Sequence, residues 1–166
     1  MTTLRPKKAR VSKRRRQFDS PQQEGFLSLW RTYDRLRAYE DELFARYDLT
    51  PQQYNALRLL AAEHPERLRT LELARRLVSR APDITRLLDK LERRGLVDRE
   101  RPPDNRREVR IGITESGLAL LEQLREPIRE CHARQLGHLS RKELSELIAL
   151  LRMARAPHED GESSWK

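Results

Sequence analysis

The hydrophobic period changes twice along this chain, and those changes limit what it can fold into. Up to Gly95 the apolar residues recur at three- and four-residue steps; from Leu96 to Ile113 they alternate; from Thr114 the helical step returns. A period of 3.6 buries one stripe of a helix, and a period of two buries one face of a strand. The chain therefore reads as a mainly α (α+β) fold: four helices, a hairpin, then two more helices.

The signals at the ends of each segment agree with that order. Phe26, Leu29, Trp30, Tyr33, Leu36, Leu43, Phe44 and Tyr47 form one stripe on a long helix from about Pro21 to Tyr47. So aromatic a stripe calls for a large apolar partner. Thr50-Pro51-Gln52-Gln53 is a capping box with proline at the first helical position. The second helix it opens should end near Glu63, before Pro65. Arg67–Arg69 reads as an extended link. Thr70 is the expected cap of a third helix with Leu71, Ala74 and Leu77 inward. A fourth helix, from about Ala81 to Arg94, turns Ile84, Leu87, Leu88 and Leu91 to the core. Gly95 suits the left-handed position after its end. Two strands follow, near 96–101 and 109–113, joined by a polar loop too long for a two-residue turn. Thr114 caps a long fifth helix containing Pro127, and Ser140-Arg141-Lys142-Glu143 is a second capping box opening the last. Residues 1–19 read as a basic, unstructured arm and 156–166 as a polar tail. The domain between them, 20–155, holds a central lobe near 50–113 flanked by the long helices 21–47 and 114–155.

Charge narrows the class of partner. Net charge is +9, from 35 basic and 26 acidic residues. Residues 1–16 carry eight Lys/Arg and no acid, and residues 69–110 carry 13 basic against 8 acidic residues. Two separate basic segments suit a polyanion gripped in two places. The lone Cys131 excludes an internal disulfide framework, fits a reducing cytoplasm, and reads as a buried or interfacial thiol. No apolar run reaches membrane-spanning length, and the basic N-terminus lacks the apolar core of a secretory signal. His64, His132, His138 and His158 have no metal-ligand spacing, and there is no phosphate loop or nucleophile motif. An enzyme, a cofactor and a metal site are therefore not expected.

Two short helices, a glycine and a hairpin with a basic loop describe a winged helix-turn-helix. Such a unit reads DNA with the outer face of its second helix. The outward positions here are Ser79, Arg80, Pro82, Asp83, Thr85, Arg86, Asp89 and Lys90. Arg86 can donate two hydrogen bonds to guanine, while Ser79 and Thr85 can reach phosphates. On the loop, Arg106 and Arg107 suit a narrow minor groove, with Asp104 placed to orient one of them. Taken singly, exposed arginines are ordinary solvated charge; it is the order of elements that favours double-stranded DNA. The competing reading is a winged-helix module for protein–protein contact without specific DNA binding.

The stretch from Thr70 to Gly117 resembles the DNA-binding core of the MarR family. "ITRLLDKLERRGLV" matches that family's recognition helix and its exit, and "DNRREVRIGITESG" is similar to its wing. Here Asn105 stands at the wing's usual Asp position and Arg107 at its Arg position. The resemblance extends over about residues 21–155. It implies a bacterial, nucleoid-associated repressor that acts as a homodimer through its first, fifth and sixth helices on a pseudo-palindromic operator. It also implies release by a small aromatic effector in a cleft near Trp30, Tyr33, Tyr54 and His64.

Overall fold

The structure, a computed structural model, describes residues 18–78, 83–103, 105 and 108–159. Two compact units are present, Met1–Arg35 and Leu36–Lys166. The elements run α1 (Pro21–Ala45), α2 (Pro51–Glu63), β1 (Leu68–Arg69), α3 (Thr70–Arg76), α4 (Ile84–Arg93), β2 (Val97–Glu100), β3 (Arg110–Ile113), α5 (Glu115–Leu136) and α6 (Arg141–Arg155), with a 3-10 turn over Ala156–His158.

Within the first unit α1 begins at Ser20, whose Oγ accepts from Gln23 N at 3.1 Å. Phe26, Leu29, Trp30 and Tyr33 on this part of α1 are all exposed. Phe26 and Trp30 lean on one another, with ring centroids 6.0 Å apart.

In the second unit, α2 to α5 and the sheet enclose a core of Leu57, Leu60, Leu73, Leu88, Leu91, Ile111 and Leu124, each almost fully buried. Phe44 stacks on Tyr54 at 4.9 Å at its margin. The sheet is three-stranded and antiparallel, ordered β1-β3-β2, with Leu68 opposite Ile111 and Val97 opposite Ile113. The segment expected to be a link is thus a strand: Leu68 is buried, and both it and Arg69 pair with β3. Two residues are too few to show a period, so the sequence carried no signal for it.

The α2 capping box forms as expected, with Thr50 N donating to Gln53 Oε1 at 2.9 Å and Gln53 N to Thr50 Oγ1 at 3.2 Å. Thr70 is not a cap. Arg69 occupies that position without a side-chain bond, because Thr70 is drawn to β3's approach, both its N–H and its hydroxyl donating to Val109 O. Leu73 and Leu77 are buried, while Leu71, expected to face inward, is exposed. The stripe of α4 is as expected: Leu88 and Leu91 are buried, and Ile84 and Leu87 pack against the core. Its exit is a Schellman arrangement: Gly95 (φ +67) donates to Glu92 O and Leu96 N donates to Leu91 O.

Five positions on α5, Gly117, Leu124, Ile128, Cys131 and Gln135, are buried. The Cys131 thiol is 5% exposed and its pKa is raised, mainly by burial, as expected of an inert thiol. Gln135 donates to Leu36 O at 2.8 Å and meets His132 Nδ1 at 2.9 Å, which satisfies a buried amide. By contrast, α6 buries none of its residues, and Ile148, Leu150 and Met153 are exposed.

Candidate nucleic-acid interface

The segment from α3 to β3 carries the candidate surface. Helix α4 begins at Asp83, whose carboxylate accepts from Arg86 N at 2.9 Å. That bond makes Asp83 the N-cap, a role for which a short acid is well suited. With roughly 100° per residue, the buried Leu88 and Leu91 stripe puts Arg86, Lys90 and Arg93 on the opposite, outer ridge, all exposed. Thr85, Asp89 and Glu92 fall on the flank between ridge and core, the side turned to the hairpin. Arg93 was not expected as a ridge residue; the same angular count on the sequence would have found it.

The flank is held by a strand residue. Arg99, on β2, pairs through Nη2 with Asp89 Oδ1 at 2.6 Å and through Nη1 with Glu92 Oε2 at 3.2 Å. It also donates to the Thr85 carbonyl at 3.4 Å. The alternate residues of β2 point the other way. Asp98 takes both terminal nitrogens of Arg67, at 2.7 and 2.6 Å, and Glu100 takes its Nε at 3.0 Å. The bond to Arg67 holds the Asp98 carboxyl below the usual aspartate range. Gly112 lies opposite Asp98 in the ladder. A Cβ there would come within 2.9 Å of both Arg67 Nη1 and Asp98 Oδ1, so this ion pair occupies the space a side chain would need. At the foot of the wing, Glu108 bridges Arg110 at 2.6 Å and Arg69 at 3.2 Å, and these cations, Arg110 first, lower its pKa. The exit of α4 is anchored by Arg94, which donates to the carbonyls of Tyr47 and Asp48.

Of the ten residues expected to meet DNA, the structure describes Asp83, Thr85, Arg86 and Lys90, all at the start or on the first two turns of α4. Asp83, Thr85, Arg86 and Lys90 are all exposed. Ser79, Arg80, Pro82, Asp104, Arg106 and Arg107 lie outside the described residues.

The MarR family model matches residues 49–109, from the lead-in to α2 through the wing. A crystal structure of a MarR transcription factor from Planctomyces limnophilus is 56% identical, over 82% of this chain and 98% of that one, with a TM-score of 0.66. This chain belongs to the MarR family. The homoprotocatechuate degradative operon repressor of Escherichia coli is 29% identical over 125 residues, 75% of this chain and 83% of that protein. A mutant MarR of Escherichia coli, solved in complex with operator DNA, is 25% identical over 78% of this chain and 91% of that one, with a TM-score of 0.67.

In this MarR-family chain the arginine pairs that organise the winged unit had no expectation attached to them. Arg67 and Arg69 reach acids distant in sequence, Asp98 and Glu108, and Arg99 reaches back across the α4 exit to Asp89 and Glu92; nothing short of the folded strands brings these groups together. Of the residues expected to line an effector cleft, Trp30 and Tyr33 belong to the first unit and Tyr54 and His64 to the second. Tyr54 and His64 stand near opposite ends of α2, roughly 15 Å apart along its axis. Tyr54 is packed on Phe44, and burial raises its pKa against the opposing pull of Arg58. Trp30 and Tyr33 are exposed on the first unit's part of α1. A groove of about 580 Å³ opens between α4 and the hairpin, over Leu71, Leu88 and Val109 and beside Arg69, Arg99 and Arg101. Among the described residues, no group of three or more His, Cys, Asp or Glu could hold a metal ion, and no helix is long and apolar enough to cross a membrane.

Proposed function

We propose that this MarR-family protein is a transcriptional repressor that binds a pseudo-palindromic DNA operator as a homodimer and is released by a small aromatic effector. One observation carries the DNA reading. On α4 the cationic ridge of Arg86, Lys90 and Arg93 stands opposite the buried Leu88–Leu91 stripe, beside a hairpin. A helix so presented fits a major groove, and its forked and pointed cations suit base edges and phosphates. The operator complex of the Escherichia coli MarR mutant supports the same reading.

Fluorescence anisotropy against duplex fragments from the chain's own upstream region tests it. Binding should weaken steeply with salt, as counterion release requires. Arg86→Ala should weaken binding to the preferred fragment by roughly tenfold to a hundredfold, the worth of one good base contact. A module for protein contact predicts no dependence on Arg86.

The effector part of the reading is supported by the groove beside α4. Its volume lies in the range of small-molecule sites, its floor is apolar and its edge is cationic. That combination suits a planar aromatic carboxylate. Calorimetric titration with benzoate and naphthoate checks it: heat of binding lost in Arg101→Ala is the expected result, and titrations without heat count against the groove.

A further inference from the structure

We infer that Arg99 is a positioning residue for the recognition helix, and that it works by masking the two carboxylates which α4 would otherwise turn toward a DNA duplex. The inference rests on the DNA-binding reading above and deepens it.

Over its ten residues α4 carries Arg86, Lys90 and Arg93 but also Asp89 and Glu92. A helix that is to lie among phosphates is poorly served by two acids, since like charges brought together across an interface are strongly unfavourable. The structure separates them. Asp89 and Glu92 both lean off the ridge to the hairpin side, where one guanidinium meets both carboxylates, at 2.6 and 3.2 Å. The same nitrogen that holds Asp89 also reaches the Thr85 carbonyl, so Arg99 touches α4 on three successive turns. It is well placed to do so. Its side chain is 26% exposed, against 46% and 40% for the two acids, so the cation is the more sheltered partner.

The other acids nearby are already engaged. Asp98 and Glu100 flank Arg99 along β2 and are held by Arg67 on the other face of the strand. Arg93 Nε, on the helix itself, donates to the Asp89 carbonyl at 3.2 Å and leaves the carboxylate to Arg99. Arg99 beside the helix and Arg67 on the far face of β2 thus pair with four carboxylates, and the cations of the α4 ridge are the charge presented outward. Arg was required rather than Lys, because only a planar fork can serve two carboxylates and a carbonyl together.

A charge-removal cycle tests this, read as operator affinity by anisotropy at fixed low salt, with thermal unfolding as a parallel readout. Arg99→Gln in the natural background should weaken binding by about tenfold or more, as two unmasked acids face phosphates. In an Asp89→Asn, Glu92→Gln background the same Arg99→Gln change should alter affinity by less than about threefold, because no acid is left to mask. Both proteins carrying Arg99→Gln lack the ion pairs, so a role confined to stability would lower affinity alike in both and would follow the melting temperature. Should Arg99→Gln not fold, Arg99→Lys, with a single point charge for two acids, should show a smaller loss that again vanishes in the acid-free background. An equal loss in both backgrounds means that Arg99 itself grips DNA, and a triple variant that binds as weakly as Arg99→Gln alone means that the ion pairs act through stability; either overturns the inference, as does no loss in the natural background, whereas masking predicts a triple variant close to the natural affinity. Natural protein that binds no duplex at low salt sinks the DNA-binding reading and this inference with it; the natural-protein arm therefore tells the two failures apart.

Discussion

Gly95 and Gly117 both lack a side chain, for different reasons. Gly95 sits at φ +67 with nothing within 4 Å of where a Cβ would be. Its requirement is conformational, and alanine there costs about 1–2 kcal/mol, the penalty of a left-handed residue. Gly117 lies in the first turn of α5, where a Cβ would run into the Leu96 carbonyl and stand 2.6 Å from Ile113 Cγ1. Here backbone must move, so Gly117→Ala should cost about 3 kcal/mol, at the upper end of overpacking. Urea melts of the two variants should therefore rank Gly117→Ala well below Gly95→Ala. The sequence marks Gly95 as a helix terminator but is silent on Gly117, whose constraint comes from a residue about twenty positions earlier. The Arg67–Asp98 pair makes a second residue-scale prediction. The folded Asp98 titrates below its usual value near 3.8 because Arg67 holds its charged form. Folding is thus favoured by this pair above that usual value, and the contribution is lost as pH falls through the lower, folded value. Asp98→Asn should destabilise the protein at pH 7, and the gap between variant and natural protein should close in melts taken toward pH 3. A gap that persists there would show that the pair's charge is not what stabilises.

Among the elements, the helix starts differ in how much they tie together. Ser140 is a self-contained box: its Oγ accepts from Glu143 N, and Glu143 Oε2 accepts from Ser140 N. Thr114 caps α5 by accepting from Gly117 N at 3.1 Å, and its hydroxyl also donates to the Gly95 carbonyl at 2.6 Å. One side chain therefore joins the start of α5 to the exit of α4. Ser140→Ala should cost about 1 kcal/mol, the usual value of a cap. Thr114→Ala should cost nearer 2 kcal/mol, since the Gly95 carbonyl loses a partner as well. Equal losses in chemical denaturation would mean that the second bond carries nothing. Both caps were legible from composition and spacing, as were α2, the α4 stripe, Gly95 and the two longer strands, because each is a local pattern. Strand β1 and the true start of α3 were not. Thr70 has the right chemistry for a cap, yet its hydroxyl is engaged by Val109, thirty-nine residues on. In the candidate site, the outer cations of α4 follow from helical period alone. The pairing of Arg99 with Asp89 and Glu92 follows only once β2 lies against α4, and no spacing in the sequence encodes that.

For the whole molecule, the decisive matter is apolar surface with no cover. Helix α6 buries none of its fifteen residues, and leaves Ile148, Leu150 and Met153 at 42%, 60% and 66% exposure. The aromatic stripe of α1 is likewise exposed at Phe26, Leu29, Trp30 and Tyr33. Large exposed apolar residues gathered on a helix mark an interaction face, and a second copy of the chain is the occupant that the proposed operator with two half-sites requires. At micromolar concentration, light scattering should give twice the 19.7 kDa chain mass. Leu150→Glu puts a charge on the exposed apolar surface of α6, where burial without a partner is costly, and should shift the species toward the chain mass. Lys142→Glu reverses a charge on a side chain that is 86% exposed and should leave the dimer intact. Because each half-site alone binds weakly, Leu150→Glu should also lower operator affinity by about a hundredfold or more, the effective-concentration advantage of linked sites, with its α4 unchanged. If Leu150→Glu stays dimeric, α6 is not the interface; if it becomes monomeric and still binds the operator as tightly as the natural protein, the twofold arrangement is not what gives the affinity.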